Sequence, residues 1–245
     1  IGFGTGQSAA VLKGLGYRDV SVAEIAPGIL EASGRYFTGI NDNIQAAGGA
    51  TVLLEDGRNV LLTRAKKYDL ISMEVSSVWF SGATNIYSKG FYDLARARLK
   101  PGGVFQQWIQ FHHIGTREVE SILASVRAAF PWVTVWYFGG QGIIVAAEAE
   151  HAIVPDAKDR IHAYLLSRFK GNTEEAGNYL EGMLRAQLMD RQAVDRLWAA
   201  KPVVNHDWNR WLEYSTPRYN LSTADWVDIN LAHLARYGTV NRAGP

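Results

Sequence analysis

Short runs of apolar and β-branched residues alternate with longer amphipathic runs through the first 147 residues. The short runs predict strands at 19–24, 50–55, 68–74 and 104–108. The longer runs predict helices at 8–16, 27–38, 88–99 and 117–130. Strands that alternate with helices of this length favour a parallel sheet covered on both faces.

The pattern changes at its end, where two β-rich runs lie at 132–138 and 142–147. Only Gly139, Gly140 and Gln141 separate them, which is hairpin spacing and therefore predicts an antiparallel pair. A mostly parallel sheet that ends in an antiparallel hairpin is typical of class I adenosylmethionine-dependent transferases. The sequence thus predicts an α/β, Rossmann-like fold of that class.

The remaining third of the chain predicts helices and no strand from Pro155 onward. Helical patterns cover 156–170, 173–200 with a break near Asp190, and 223–237. A polar, aromatic loop at 203–219 separates the last two, and we expect it to return to the active-site face. We therefore predict a Rossmann-like adenosyl-cofactor-binding domain at 1–150, truncated at its N-terminus, and a helical appendage at 151–245.

Composition narrows the function classes. A net charge of +1 gives no reason to expect a nucleic-acid partner, and the absence of cysteine excludes thiolate catalysis and disulfides. No apolar run approaches the roughly 20 residues that span a bilayer, so we expect this piece to be soluble. The abrupt start inside a strand-to-helix turn suggests a fragment of a longer protein.

Candidate chemistry begins at the glycine-rich turn formed by Gly2, Gly4 and Gly6. Glycines in such a turn let a ligand lie against the backbone, because no Cβ stands in the way. Glu24 closes the next predicted strand, at the distance where Rossmann-type domains hold ribose hydroxyls. The spacing is G-x-G-x-G and not the pyrophosphate-binding G-x-G-x-x-G, so a purely structural turn is the alternative.

An acid also follows the predicted strand at 50–55, at Asp56-Gly57. Asp56 is well placed to accept a hydrogen bond from an adenine amino group, and Gly57 would leave room for the ring. Asp56 is also a candidate N-cap for a helix over 58–63, which is compatible with the first role.

The predicted strand at 68–74 ends at Glu74. Ligands of open α/β sheets bind beyond the carboxyl ends of the strands, so we expect Glu74 to point into that crevice. A carboxylate there can contact a cationic substrate, a sulfonium or a proton in transit; a solvated loop acid is the alternative. We predict no metal site, because adjacent residues such as His112 and His113 point to opposite faces of an extended segment.

Several strings in this tract resemble the spermidine synthase family. They are Glu55-Asp56-Gly57-Arg58-Asn59, Tyr68-Asp69-Leu70-Ile71-Ser72-Met73-Glu74 and the segment from Phe91 to Phe105. Ile1 to Gly6 is similar to the first glycine motif of the bacterial branch that is fused behind a membrane-spanning region. Residues 205–218 resemble its C-terminal signature more loosely.

The resemblance implies transfer of an aminopropyl group from decarboxylated S-adenosylmethionine to a small amine such as putrescine. By motif position, Gly2, Gly4, Gly6 and Gly57 would line the cofactor, while Glu24 would hold its ribose and Asp56 its adenine. Glu74 takes the place of the catalytic Asp in an Asp-x-x-Asp-Pro motif, whose second Asp falls on Ser77 and whose Pro falls on Val78. The expected amine contacts are Ser76, Ser77, Trp79, Tyr87 and Glu213.

Two other functions stay open. One is an S-adenosylmethionine-dependent methyltransferase, and the other is a non-catalytic nucleoside- or polyamine-binding domain of a membrane protein. Loss of the second motif acid, now Ser77, keeps the non-catalytic alternative in play. We further expect a homodimer, a location on the cytoplasmic side of a membrane, and no nucleic-acid partner.

Overall fold

The computed structural model describes residues 1–46, 48–75, 78, 82–219 and 222–238. The helices are α1 Gln7–Gly14, α2 Pro27–Tyr36, α3 Thr38–Asn41, α4 Gly57–Thr63, α5 Lys89–Arg98, α6 Thr116–Ala129, α7 Pro155–Arg168, α8 Thr173–Arg185, α9 Arg191–Ala199, α10 Trp211–Ser215 and α11 Trp226–Ala235. The strands are β1 Ser21–Glu24, β2 Thr51–Leu54, β3 Tyr68–Met73, β4 Leu99–Ile109, β5 Trp132–Phe138, β6 Gln141–Ala147 and β7 Gln187–Met189.

These elements form two compact units. Unit 1 contains Ile1–Arg64 and Ala152–Glu181, and unit 2 contains Ala65–His151 and the chain from Gly182 onward. Each unit therefore combines residues from both sides of position 150. The domain boundary at that position stays a prediction.

Unit 1 is built on a parallel pair of strands, β1 and β2, whose register places Val22 opposite Val52. Its core contains buried Phe3, Ala9, Val20, Val22 and Ile44. The N–H of Gly2 donates to the carbonyl of Ala23 over 2.9 Å, while the carbonyl of Glu24 accepts from Glu55. Since successive carbonyls of a strand point to opposite edges, the glycine turn lies along the edge of β1 away from β2.

Unit 2 contains a five-stranded sheet in the order β3-β4-β6-β5-β7. β3 and β4 are parallel, and the three remaining ladders are antiparallel. Fully buried aromatic rings fill the space between this sheet and α5; Phe105 contacts Phe91 and Tyr92 edge to face and stacks on Phe130. Because parallel β3 and β4 end at the same edge, the residues after Met73 and after Ile109 emerge side by side.

The predicted fold class is confirmed, including the β5–β6 hairpin. One prediction is wrong: the sequence predicted no strand after Pro155, but β7 pairs with the edge of β5, with Val135 opposite Met189. Its hydrogen-bonding partner lies far away in the sequence, so local periodicity gave no signal for it. The predicted break near Asp190 is confirmed, since the Asp190 side chain caps α9 through the N–H of Ala193.

None of the helices that the structure describes combines the length and the apolar character needed to cross a bilayer.

Candidate active-site residues

The glycine turn of unit 1 adopts a backbone that strongly favours glycine. Gly2, Gly4 and Gly6 have φ angles of 84°, 54° and 82°, in the left-handed region. A Cβ built on Gly4 would meet no atom within 4 Å, so the exposed backbone here borders open space. The turn leads directly into α1, whose first N–H groups lack partners inside the helix and favour negative charge. This backbone fits close approach by a ligand.

Glu24 lies at the tip of β1 and is only 8% exposed. Its Oε2 accepts from the N–H of Phe3 and its Oε1 from the N–H of Ala26, both over 2.9 Å. The carboxylate therefore fastens the glycine turn to the start of α2. Each carboxylate oxygen can accept a second hydrogen bond, so this clamp leaves acceptor capacity for a ribose, and that role stays a prediction.

Two residues that the sequence did not single out, Ser33 and Asn41, also hold the turn. Ser33 Oγ and Asn41 Nδ2 donate to the carbonyl of Thr5 over 2.8 and 2.7 Å, and Asn41 Nδ2 also lies 2.9 Å from Ser33 Oγ. Both side chains are buried. Asn41 belongs to a four-residue helix that was too short to register as a periodic pattern.

Asp56 follows β2 and is exposed. Its Oδ1 accepts from the N–H of Asn59 over 3.0 Å, which confirms the predicted N-cap of α4. The space that a Cβ on Gly57 would need is filled by Ile1, whose Cγ2 would be 2.4 Å away. Glycine at position 57 thus leaves room for the Ile1 side chain, whereas the sequence analysis expected it to leave room for an adenine ring. Contact of either residue with adenine stays a prediction.

We expect Glu24→Gln to lower the free energy of unfolding by about 1–3 kcal/mol, because the N–H of Phe3 or of Ala26 loses its acceptor. Thermal and urea unfolding would measure this. Glu31→Gln, the same change at an exposed position of α2, is the matched control and should leave stability unchanged. Equal stability of the two variants would show that the Glu24 clamp does not hold the turn.

In unit 2, Glu74 directly follows β3 and is half-buried. Ser72 Oγ donates to Glu74 Oε1 over 2.9 Å, and the same hydroxyl contacts Gln106 Oε1 of the neighbouring strand. Ser72 and Gln106 are opposite each other in the parallel register of β3 and β4. Side chains of β3 and β4 therefore orient the Glu74 carboxylate at the carboxyl end of β3.

Tyr87, one of the predicted amine contacts, is buried in this structure, and its contact with an amine stays a prediction. Its ring is 2% exposed, and its hydroxyl donates to the carbonyl of Val75 over 2.7 Å. Burial raises the pKa of Tyr87 well above its ordinary value, and the charge of Glu74 raises it further, against an opposing hydrogen bond from Gln107. The hydroxyl is thus a permanent donor to the peptide that follows Glu74.

The predicted loop at 203–219 contains the short helix α10, and it contacts the segment just before α5, within unit 2. Glu213 Oε2 accepts from Thr84 Oγ1 over 3.3 Å, and Asp207 Oδ1 accepts from Ser88 Oγ over 2.7 Å. Buried Asn205 donates to the carbonyls of Thr84 and Tyr87. Glu213, which we expected from this loop, and Asp207 are therefore both bonded to the segment that follows Glu74 in the chain.

Three predicted amine contacts, Ser76, Ser77 and Trp79, lie outside the described residues. His112 and His113 are exposed in a turn after β4, and their rings lie 5.6 Å apart, so the expectation that they point to opposite faces of an extended segment is wrong. Across the described parts of the chain, no group of three or more His, Cys, Asp or Glu side chains has an arrangement suited to a metal ion.

The chain is similar to known polyamine enzymes. It matches the spermine/spermidine synthase domain over residues 2–153. It is 26% identical to polyamine aminopropyltransferase 2 of Pseudomonas aeruginosa over 164 residues, which are 62% of this chain and 46% of that protein. The chain thus spans about half the length of this curated relative.

Two solved structures resemble the fold. A probable spermidine synthase from Corynebacterium glutamicum superposes with a TM-score of 0.52 at 22% identity, covering 76% of this chain and 63% of the other. Human methyltransferase-like protein 13 in complex with SAH superposes with a TM-score of 0.52 at 20% identity, covering 71% of this chain and 78% of the other. These identities establish the fold alone. Because the domain match covers more than half of its residues, the chain belongs to the spermine/spermidine synthase family.

Proposed function

We propose that this protein transfers an aminopropyl group from decarboxylated S-adenosylmethionine to a small amine such as putrescine. The observation that carries the proposal is the family match over residues 2–153, a range that contains both the open glycine turn and Glu74. The residues fit the two substrates by chemistry. The turn, Glu24 and Asp56 suit an adenosyl group, and Glu74 suits an amine.

In this reaction the amine nitrogen forms a bond to the carbon beside sulfur as the carbon–sulfur bond breaks, and sulfur keeps the electron pair and leaves as a neutral thioether. The attacking amine must be neutral and correctly aimed. Glu74 would accept the proton that this nitrogen loses, or orient its N–H, as a general base. Its carboxylate is already oriented by Ser72, which limits the side chain to fewer positions.

A second cation on the acceptor would need its own counter-charge, because an unpaired ammonium is costly to bury. Ser77 stands where the family's second motif acid was expected. Glu213 and Asp207 are the acids that we propose for this task. Their anchoring to Thr84 and Ser88 supports the proposal, since these contacts hold both carboxylates on the segment downstream of Glu74.

Calorimetric titration with decarboxylated S-adenosylmethionine and with S-adenosylmethionine tests the donor. We expect binding of the first and weaker binding of the second, because the proposed reaction uses the decarboxylated compound as its donor. Tighter binding of S-adenosylmethionine, followed by methyl transfer in an acceptor screen, would favour the methyltransferase alternative, which the fold of methyltransferase-like protein 13 supports. Silence toward both donors would defeat the nucleoside-binding role.

A further inference from the structure

A chain of hydrogen bonds links the loop at 203–219 to the peptide that follows Glu74. Asn205 Nδ2 donates to the carbonyl of Tyr87 over 3.2 Å, and the Tyr87 hydroxyl donates to the carbonyl of Val75 over 2.7 Å. Val75 directly follows Glu74, so the bond to its carbonyl restrains the backbone one residue beyond Glu74. The three residues that form these hydrogen bonds, Asn205, Tyr87 and Val75, all lie in unit 2.

Asn205 is buried and uses its backbone and its side chain in these contacts. Its N–H donates to Ser125 Oγ on α6, and its carbonyl accepts from the N–H of Lys89 at the start of α5. Its Oδ1 accepts from the N–H of Leu212, the second residue of α10. Through its backbone and side chain together, Asn205 thus joins α5, α6, α10 and the turn before α5. A residue with so many buried partners has little freedom to move, because losing any partner leaves a polar group unsatisfied.

We propose that Tyr87 and Asn205 are positioning residues, through which the loop at 203–219 holds the peptide after Glu74 in the orientation that the reaction needs. This inference rests on the proposed function. Neither side chain need touch the substrate: Tyr87 acts through the Val75 carbonyl, and Asn205 acts through Tyr87. The C-terminal loop would then contribute to catalysis by fixing the acid as well as by its own charges.

Tyr92 provides a matched comparison for Tyr87. Both are fully buried tyrosines beside the same aromatic core, five positions apart. The Tyr92 hydroxyl, however, donates to Gln107 Oε1 over 2.8 Å, on β4. Removing the Tyr92 hydroxyl deletes its bond to Gln107, whereas removing the Tyr87 hydroxyl deletes its bonds to Gln107 and to the Val75 carbonyl. Of the two hydroxyls, only that of Tyr87 is bonded to the backbone next to Glu74.

The test compares Tyr87→Phe with Tyr92→Phe by steady-state kinetics, thermal unfolding and amide hydrogen exchange. We expect Tyr87→Phe to lower kcat about tenfold or more with the donor KM unchanged, since small misplacements of a catalytic group are costly. Exchange at the amides of Glu74 and Val75 should rise in Tyr87→Phe only. Tyr92→Phe should lower Tm to a similar extent and leave kcat unchanged.

Equal kcat and equal exchange at Glu74 and Val75 in the two variants would overturn the proposal, because Tyr87 would then be a packing residue only. If Tyr87→Phe does not fold, Asn205→Asp serves instead, since it removes the two donor bonds to Thr84 and Tyr87 at constant size. Faster exchange at Glu74 and Val75 supports the proposal there, and unchanged exchange rejects it. A wild-type protein without turnover would refute the proposed function alone, because the exchange measurement still decides the positioning role.

Discussion

Replacing Glu74 by Gln should lower turnover by about 100- to 10,000-fold, the range that a positioned general base contributes. The amide has nearly the same shape, so its oxygen can still accept from Ser72, but it cannot take a proton from the attacking amine. The expected signature is a fall in kcat with little change in the donor KM or in Tm. Steady-state kinetics and thermal unfolding of the same preparation measure both.

Glu150→Gln is the matched control, because it makes the same chemical change at an exposed position of unit 2. It should behave as wild type in every assay. If Glu74→Gln kept wild-type turnover, Glu74 would be a solvated loop acid and its catalytic role would be wrong. If wild-type protein bound an amine without any turnover, and Glu74→Gln only weakened that binding, a non-catalytic binding domain would be the better account.

The second large effect is expected for Gly6→Ala in the glycine turn. Gly6 has a φ of 82°, which costs an L-residue roughly 1–2 kcal/mol. Its new Cβ would also lie 2.7 Å from Phe3 Cε1 and 3.1 Å from Asn41 Nδ2, so the buried core under the turn would have to shift. Overpacking of this kind adds about 1–3 kcal/mol. We expect a clear fall in Tm and loss of donor binding by calorimetry.

Gly34→Ala separates this effect from a general sensitivity to alanine. Gly34 lies inside α2, and its Cβ would meet nothing within 4 Å. The substitution should be neutral or stabilise by about 0.5–1 kcal/mol, because alanine loses less conformational freedom than glycine in a helix. Donor binding by Gly34→Ala should equal that of wild type. Normal donor affinity in Gly6→Ala would mean that the turn does not contact the donor.

The sequence was most informative where local rules decide the structure. The N-cap role of Asp56, the helix start at Pro27 and the Gly139–Gly140 hairpin each depend on neighbouring residues, and the structure has all three. Glu24 was also expected at a strand end. Its hydrogen bonds with the N–H groups of Phe3 and Ala26 were not predicted, because the sequence does not indicate which backbone groups a carboxylate will contact.

The parts that the sequence missed depend on contacts between distant segments. β7 is a strand because it pairs with β5. The side chain of Asn41 is held by the Thr5 carbonyl, and that of Asn205 by the carbonyls of Thr84 and Tyr87. Tyr87 shows the same limit for function. An aromatic residue shortly after a catalytic strand suits either a substrate face or a core, and only its surroundings decide between them.

Incubation with decarboxylated S-adenosylmethionine and putrescine, followed by mass spectrometry of the products, tests the central claim most directly. The account predicts that putrescine gains one aminopropyl group and that the thioether product appears in equal amount, with both absent from reactions of Glu74→Gln. Intact putrescine beside a wild-type protein that binds the donor would contradict the assignment of this chain as an aminopropyltransferase.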